Sequence, residues 1–172
     1  DFSWRLEPEK SGLGAMIADA GSHWFDLIEY VTGLRISSVL AELKTVIPVR
    51  LKPIAPREAF GERKVGETEP YHVVVPDLGA VLLRFFGGAI GSFQTCALCA
   101  GHKNDLQFEL NGSKASLSWA QEEPERLWMG RRGEPDAVFR KDPALLDASI
   151  RRYAALPGGH GEAWADAFRN TI

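Results

Sequence analysis

The chain has 172 residues, enough for one domain with a sizeable core, and its 45% apolar and 25% charged content is ordinary globular usage. A formal net charge of -3 supplies no basic field for nucleic acid. No apolar run approaches the ~20 residues needed to span a bilayer, and no signal-peptide pattern opens the chain, so a cytoplasmic protein with no nucleic-acid or membrane partner is expected.

In chain order, Leu13, Met16, Ile17, Ala20, Trp24, Leu27, Ile28 and Val31 recur at helical spacing, predicting an amphipathic helix over residues 12–33. Gly12, Gly14, Ala15, Ala18, Ala20 and Gly21 strip side-chain bulk from its first half, where each glycine costs ~1 kcal/mol relative to alanine. Something is expected to pack closely there, either another backbone or a ligand. Val39, Ala41, Leu43, Thr45 and Ile47 then alternate with Leu40, Glu42 and Lys44, the pattern of a half-buried strand.

Residues 48–70 mix Pro48, Pro53, Pro56 and Pro70 with many charges, and are expected to form neither an ordinary strand nor a helix. A connection of that length reads as a lid, an interaction arm or a solvated excursion. Gly87-Gly88 between apolar runs at 81–86 and 89–98 signals a hairpin, and Asn111-Gly112 between 106–110 and 114–119 signals a second. The polar stretch 140–156 holds Leu145, Leu146, Ile150 and Tyr153, enough for a short helical turn or two before a closing helix. The expected fold is α+β, a mainly antiparallel open sheet with helices on one face, forming a single domain over residues 1–172. Val81, Leu83, Phe85, Phe93, Leu106, Phe108 and Leu110 are too many apolar strand residues to hide on one side, so a homo-oligomer through the open sheet face is expected.

Asp19 and His23 lie four apart at the edge of the apolar stripe, in a row with Asp26 and Tyr30. At that spacing Asp19 can hydrogen-bond the imidazole, fix its tautomer and stabilise its protonated form, which is what a proton-transfer base needs. The same pair is also a common surface contact on helices. Cys96 and Cys99 form a lone C-x-x-C with His102 nearby, but no further ligand motif completes a zinc set. If both lie in a strand they point to opposite faces, so no metal site is expected.

The run Ser11-Gly-Leu-Gly-Ala-Met-Ile-Ala-Asp-Ala-Gly-Ser-His-Trp-Phe-Asp-Leu-Ile-Glu-Tyr-Val-Thr-Gly33, preceded by Trp4-Arg5, resembles the signature helix of the glucose-fructose oxidoreductase, inositol dehydrogenase and MocA-type family. The segments at 81–91, 101–112 and 157–168 resemble that family's central strand and hairpin, its next strand and its closing helix. The resemblance implies the C-terminal substrate and dimerisation domain of a two-domain enzyme that uses NAD or NADP on a sugar, polyol or related carbinol. It implies His23 as catalytic base oriented by Asp19, with His102, Lys103 and Asn104 at the mouth of the substrate site and Arg5 and His160 as further pocket residues. The chain lacks G-x-G-x-x-G after an apolar strand, so the cofactor and the family's lysine are expected on an N-terminal Rossmann domain absent from this chain, which alone should be inactive. The glycines at 158, 159 and 161 have no βαβ unit around them and are not expected to bind phosphate. The competing reading is a non-catalytic sugar-binding or dimerisation module with the same fold. A metal-dependent isomerase or lyase using Asp19, His23 and His160 needs more carboxylates than the chain places there.

Overall fold

The computed structural model describes residues 2–54, 67–154 and 156–158. The chain divides into two compact units, residues 1–101 and 102–172. In the first unit a 3₁₀ turn, Trp4–Leu6, leads into a one-turn helix α1, Pro8–Ser11, and then the long helix α2, Ala15–Thr32. Five strands follow: β1 Ile36–Lys44, β2 Val49–Pro53, β3 Thr68–His72, β4 Leu78–Phe85 and β5 Ile90–Cys96. Strands β1, β4 and β5 make one antiparallel sheet in the order β1-β4-β5, while β2 and β3 pair as a separate ribbon.

Helix α2 ends where its apolar period ends. Gly33 takes the left-handed conformation, φ 68°, and returns its N–H to the Glu29 carbonyl at 2.9 Å. The Glu29 carboxylate accepts from the Ile36 N–H and the Arg35 guanidinium, both at 2.7 Å, which fastens the entry of β1 to the helix end. Those two bonds, the backbone one first, hold the Glu29 carboxyl below its usual range. Leu13 falls before the helix and is exposed, so the buried stripe is narrower than its periodicity suggested.

Strand β4 alternates cleanly. Gly79, Val81, Leu83 and Phe85 are buried, and Ala80, Leu82 and Arg84 face solvent. On the buried face Phe93 of β5 meets Trp24 and Phe25 of α2, each ring centroid 5.0 Å away. Gly21 is where this stack presses on the helix: an added Cβ would lie 3.4 Å from Phe25 and 3.5 Å from Phe93. The close packing expected of the small-residue half of the helix is therefore, at Gly21, packing against an aromatic ring. Gly79 similarly admits Ile17 and Leu43, whose methyl groups would stand 2.9 and 3.0 Å from a Cβ there. Each fully buried aliphatic or aromatic side chain of this face contributes about 1.5–3 kcal/mol.

Three expectations need correction. Strand β1 is exposed along nearly its whole length, because it is the sheet edge, bonded only to β4, while α2 packs toward β5. The segment 48–70 contains two strands, β2 and part of β3, paired in register from Val49 with His72 to Pro53 with Thr68. Prolines are tolerated because each strand of a two-stranded ribbon has one free edge that needs no donor. Residues 55–66 lie outside the described residues. Finally, Val81, Leu83, Phe85 and Phe93 all share the helix-covered face, so the open face of this sheet is made of other residues: Leu40, Leu82 and Ile90.

Asp77, 1% exposed, ties the sheet to the ribbon. Its carboxylate accepts from the Val46 N–H at 2.7 Å, the Ile47 N–H at 3.2 Å and Arg50 at 3.1 Å, so a buried charge is met by three donors. A second small core of Leu6, Ala15, Val73 and Val75, with Phe2 and Tyr71 packed on it, joins the N-terminal turn to the ribbon.

The second unit holds strands β6 Gln107–Asn111, β7 Ser116–Ala120, β8 Arg126–Gly130 and β9 Ala137–Arg140, an antiparallel meander, and a 3₁₀ turn, Arg151–Tyr153. The second hairpin turns one residue later than its Asn-Gly signal: Asn111 is still in the ladder and Gly112 donates to the Ala115 carbonyl at 3.0 Å. Phe108 and Trp119 stack across β6 and β7 at 5.8 Å. The molecule is thus α+β with antiparallel sheets, and α2 covers one face of the first. No described helix is long and apolar enough to cross a membrane. The expected closing helix falls outside the described residues.

Candidate functional site

The row Asp19, His23, Asp26 and Tyr30 runs along α2 on the side turned away from the Phe93 stack. His23, Asp26 and Tyr30 are exposed and Asp19 is half-buried. Asp19 does not bond His23. Its Oδ2 accepts from Arg5 Nε at 2.6 Å, across fourteen residues of sequence. Arg5 reaches it from the 3₁₀ turn, and its guanidinium also lies 4.7 Å from the Trp4 ring centroid, so it is held between an aromatic face and a carboxylate. The turn is pinned in place: Ser11 Oγ donates to the Arg5 carbonyl at 2.9 Å, and the Leu6 N–H donates to the Ser3 carbonyl at 3.0 Å.

Beneath this turn Glu7 is buried, and it pairs with Lys10 and, at 2.5 Å, with Lys52. Lys52 also stands 5.3 and 5.2 Å from the Phe2 and Tyr71 rings. Lys10, then Lys52, pull the Glu7 carboxyl below its usual range, and Glu7 raises Lys52 in return. This cluster anchors the turn that presents Arg5.

The first-unit site therefore consists of an exposed imidazole, a carboxylate one turn away and a guanidinium that claims that carboxylate. Sequence reasoning had placed Arg5 near the pocket, but not on Asp19. Helical spacing reveals partners four residues apart and is silent about one fourteen residues away. The only hint was Trp4-Arg5 itself, a cation beside an aromatic residue.

In the second unit His102, Lys103 and Asn104 form an exposed loop ahead of β6. His102 Nδ1 lies 2.7 Å from Asp105 Oδ2, an Asp/His pair that spacing had not singled out. The Lys103 N–H donates to Glu122 at 2.9 Å, and the Asn104 carbonyl accepts from the Leu106 N–H at 3.0 Å, leaving the Lys103 and Asn104 side chains on the surface. His160 lies outside the described residues.

The cysteine pair also differs from expectation. Strand β5 stops at Cys96 and the chain turns immediately, so Cys99 is no longer on the strand, and the Leu98 N–H donates to Cys96 Sγ at 3.4 Å. The neighbouring Cys96 side chain, helped by desolvation, pushes the Cys99 thiol above its usual range. Among the described residues no group of three or more His, Cys, Asp or Glu side chains could hold a metal ion.

The turn, the α2 row and the β4–β5 hairpin match one family model over residues 1–118, described as the GFO/IDH/MocA C-terminal domain. The chain belongs to this family. Among GFO/IDH/MocA relatives it is 32% identical over 143 residues to the levoglucosan dehydrogenase of Pseudarthrobacter phenanthrenivorans, covering 83% of this chain and 34% of that protein. It thus spans about a third of that relative's length. A crystal structure of an oxidoreductase domain protein from Kribbella flavida superposes with a TM-score of 0.77 at 30% identity, covering 97% of this chain and 42% of that one. An inositol dehydrogenase homologue from Azotobacter vinelandii, complexed with NADH and myo-inositol, shares the fold with a TM-score of 0.72 at 22% identity, covering 97% and 37% of the two chains.

Proposed function

We propose that this chain is the substrate-binding and catalytic-base part of an NAD- or NADP-dependent oxidoreductase acting on a sugar, polyol or related carbinol. One observation carries the reading: His23 is exposed on helix α2, one turn from the Asp19 carboxylate, in a chain of the GFO/IDH/MocA family. The relatives named for levoglucosan and complexed with myo-inositol support a polyhydroxylated substrate.

The chemistry follows from what an alcohol needs. Oxidising a carbinol carbon without removing the hydroxyl proton leaves a protonated carbonyl, which is unstable, so a base must take that proton. The His23 imidazole is the base in this reading. Lys103 and Asn104 carry exposed donors suited to sugar hydroxyls and are proposed as substrate contacts, with His102; Arg5 and His160 are assigned to the same role.

The described residues do not fit a dinucleotide. Such a cofactor sits on a parallel βαβ unit with a glycine-rich turn, whereas every ladder here is antiparallel and the fingerprint is missing from the sequence. The cofactor is therefore assigned to an N-terminal domain outside this chain. Assembly as a homo-oligomer through the open face of the β1-β4-β5 sheet completes the proposal.

The test is steady-state oxidation of a panel of sugars and polyols, including levoglucosan and myo-inositol, by the full-length protein and its His23→Ala variant. Turnover that depends on His23 supports the reading. Turnover unaffected by the substitution would place the base elsewhere, and no turnover on any member would favour a sugar-binding module without chemistry.

A further inference from the structure

We infer that Cys96 and Cys99 form a site of reversible thiol oxidation, closing a disulfide across the turn that ends β5. The inference rests on the geometry of that turn and is independent of the function proposed above.

Residue order argues against a bridge, since positions three apart in one strand point to opposite faces. The structure removes that objection by ending the strand between them. Cys96 is the last residue of β5, paired with Leu78, and Ala97 and Leu98 form a turn whose first and fourth positions are the two cysteines. The ends of a four-residue turn stand less than about 7 Å apart between Cα atoms, and a disulfide joins residues whose Cα atoms are about 4.4–6.8 Å apart. Turn and bridge therefore call for nearly the same spacing.

The turn is held at its root. The Ala97 N–H donates to the carbonyl of buried Asp77 at 2.9 Å, and the Leu98 N–H donates to Cys96 Sγ at 3.4 Å, which draws that sulfur back over the turn. Both thiols are free, Cys99 exposed and Cys96 half-buried, and the chain has no other cysteine to compete. The upward push that Cys96 gives the Cys99 thiol comes from the same closeness. His102, three residues on, has its Nδ1 on Asp105 rather than on either sulfur.

The oxidant that suits an exposed thiol beside a half-buried one is a small disulfide of the glutathione type. The Cys99 thiolate attacks one of its sulfurs, the S–S bond breaks, and one glutathione leaves as a thiolate that takes up the proton Cys99 gave up. Cys96 then loses its proton and attacks Cys99 Sγ, displacing the second glutathione as a thiol. Two protein thiols are oxidised to one disulfide and the small disulfide is reduced to two thiols. A bridge closing so short a loop on an exposed turn belongs to the readily reduced class, so an excess of thiol reverses the step.

The experiment incubates the full-length protein with glutathione disulfide, blocks remaining thiols with N-ethylmaleimide and maps tryptic peptides by mass. No lysine or arginine lies between Arg84 and Lys103, so both cysteines leave on the single peptide 85–103. That peptide should be lighter by two hydrogens and carry no maleimide, and after dithiothreitol it should take up a maleimide at each cysteine. Cys96→Ser lacks the second thiol and should stop at a glutathione adduct on Cys99, which in the parent is at most a minor species. In concentrated urea, where the turn is lost, closing the bridge should need a higher ratio of glutathione disulfide to glutathione.

A peptide that keeps both thiols, that accumulates glutathione on Cys99 while Cys96 is present, or that is crosslinked to a different peptide would overturn the inference. So would closure in urea at the same ratio or a lower one, since the folded turn would then contribute nothing to bringing the sulfurs together.

Discussion

A guanidinium offers five N–H donors in a fixed plane and keeps its charge at any accessible pH, whereas a neutral imidazole offers one donor. That difference explains why Asp19 lies on Arg5 rather than on His23. With the site read as an acid-base centre, His23→Ala in the full-length enzyme should lower turnover by about 10²- to 10⁴-fold while leaving cofactor affinity nearly intact, measured by steady-state kinetics and cofactor titration. Asp19→Asn should cost less, because it keeps the shape of the side chain and a hydrogen-bond acceptor for Arg5. With both residues read as serving one proton transfer, the double variant should be little worse than His23→Ala alone. Strictly multiplicative losses would mean that they act independently.

The α2 helix is held on its sheet by a small number of large contacts, of which the Trp24, Phe25 and Phe93 group is the densest. Truncating Phe93, 7% exposed, leaves a cavity that neither ring can fill without moving the helix, and Phe93→Ala should cost about 3–5 kcal/mol in urea unfolding. A loss below ~1 kcal/mol would show that the aromatic group is peripheral to the fold. Much of this element-level organisation was legible in the residues. Gly87 and Gly88, at φ 91° and 94°, make the β4–β5 turn that their dipeptide signalled, since both positions need a conformation that side chains resist. The β2–β3 ribbon was not legible, because Pro53 at the end of its ladder and Pro70 at its middle look like strand breakers until the free edges are seen.

Across the whole molecule, pH acts on the anchor beneath the site. The Glu7 carboxyl is held below the ordinary glutamate value of about 4.3, so its contribution to stability is complete above that pH and is lost as pH falls through the lowered folded value. Lys52 is raised, so its share is complete below about pH 10 and is lost as pH climbs through the raised value. Glu7→Gln should therefore flatten the acid side of a plot of melting temperature against pH, with the smallest difference from the parent at the lowest pH. A constant difference at all pH values would exclude the ionic origin. Assembly is tested on the open sheet face, where Leu40, Leu82 and Ile90 are 70%, 59% and 82% exposed. Leu82→Glu places a charge at the centre of that face without touching the core, and under the proposed assembly sedimentation should show an oligomer for the parent and a monomer for the variant. An unaltered oligomer would move the interface elsewhere.

Residue order alone determined the helix, its Gly33 end, both hairpins and the antiparallel α+β class, because each rests on local backbone preference or on a period of 3.6 or 2 that needs no distant partner. It also placed Asp19 and His23 on one edge of one helix. Tertiary structure decided which group Asp19 holds, that Cys99 falls beyond the end of β5 in a turn, and which apolar residues the open face of the first sheet carries. Those outcomes depend on how separate segments approach in space and on which donor wins a shared acceptor. Periodicity carries no information about either.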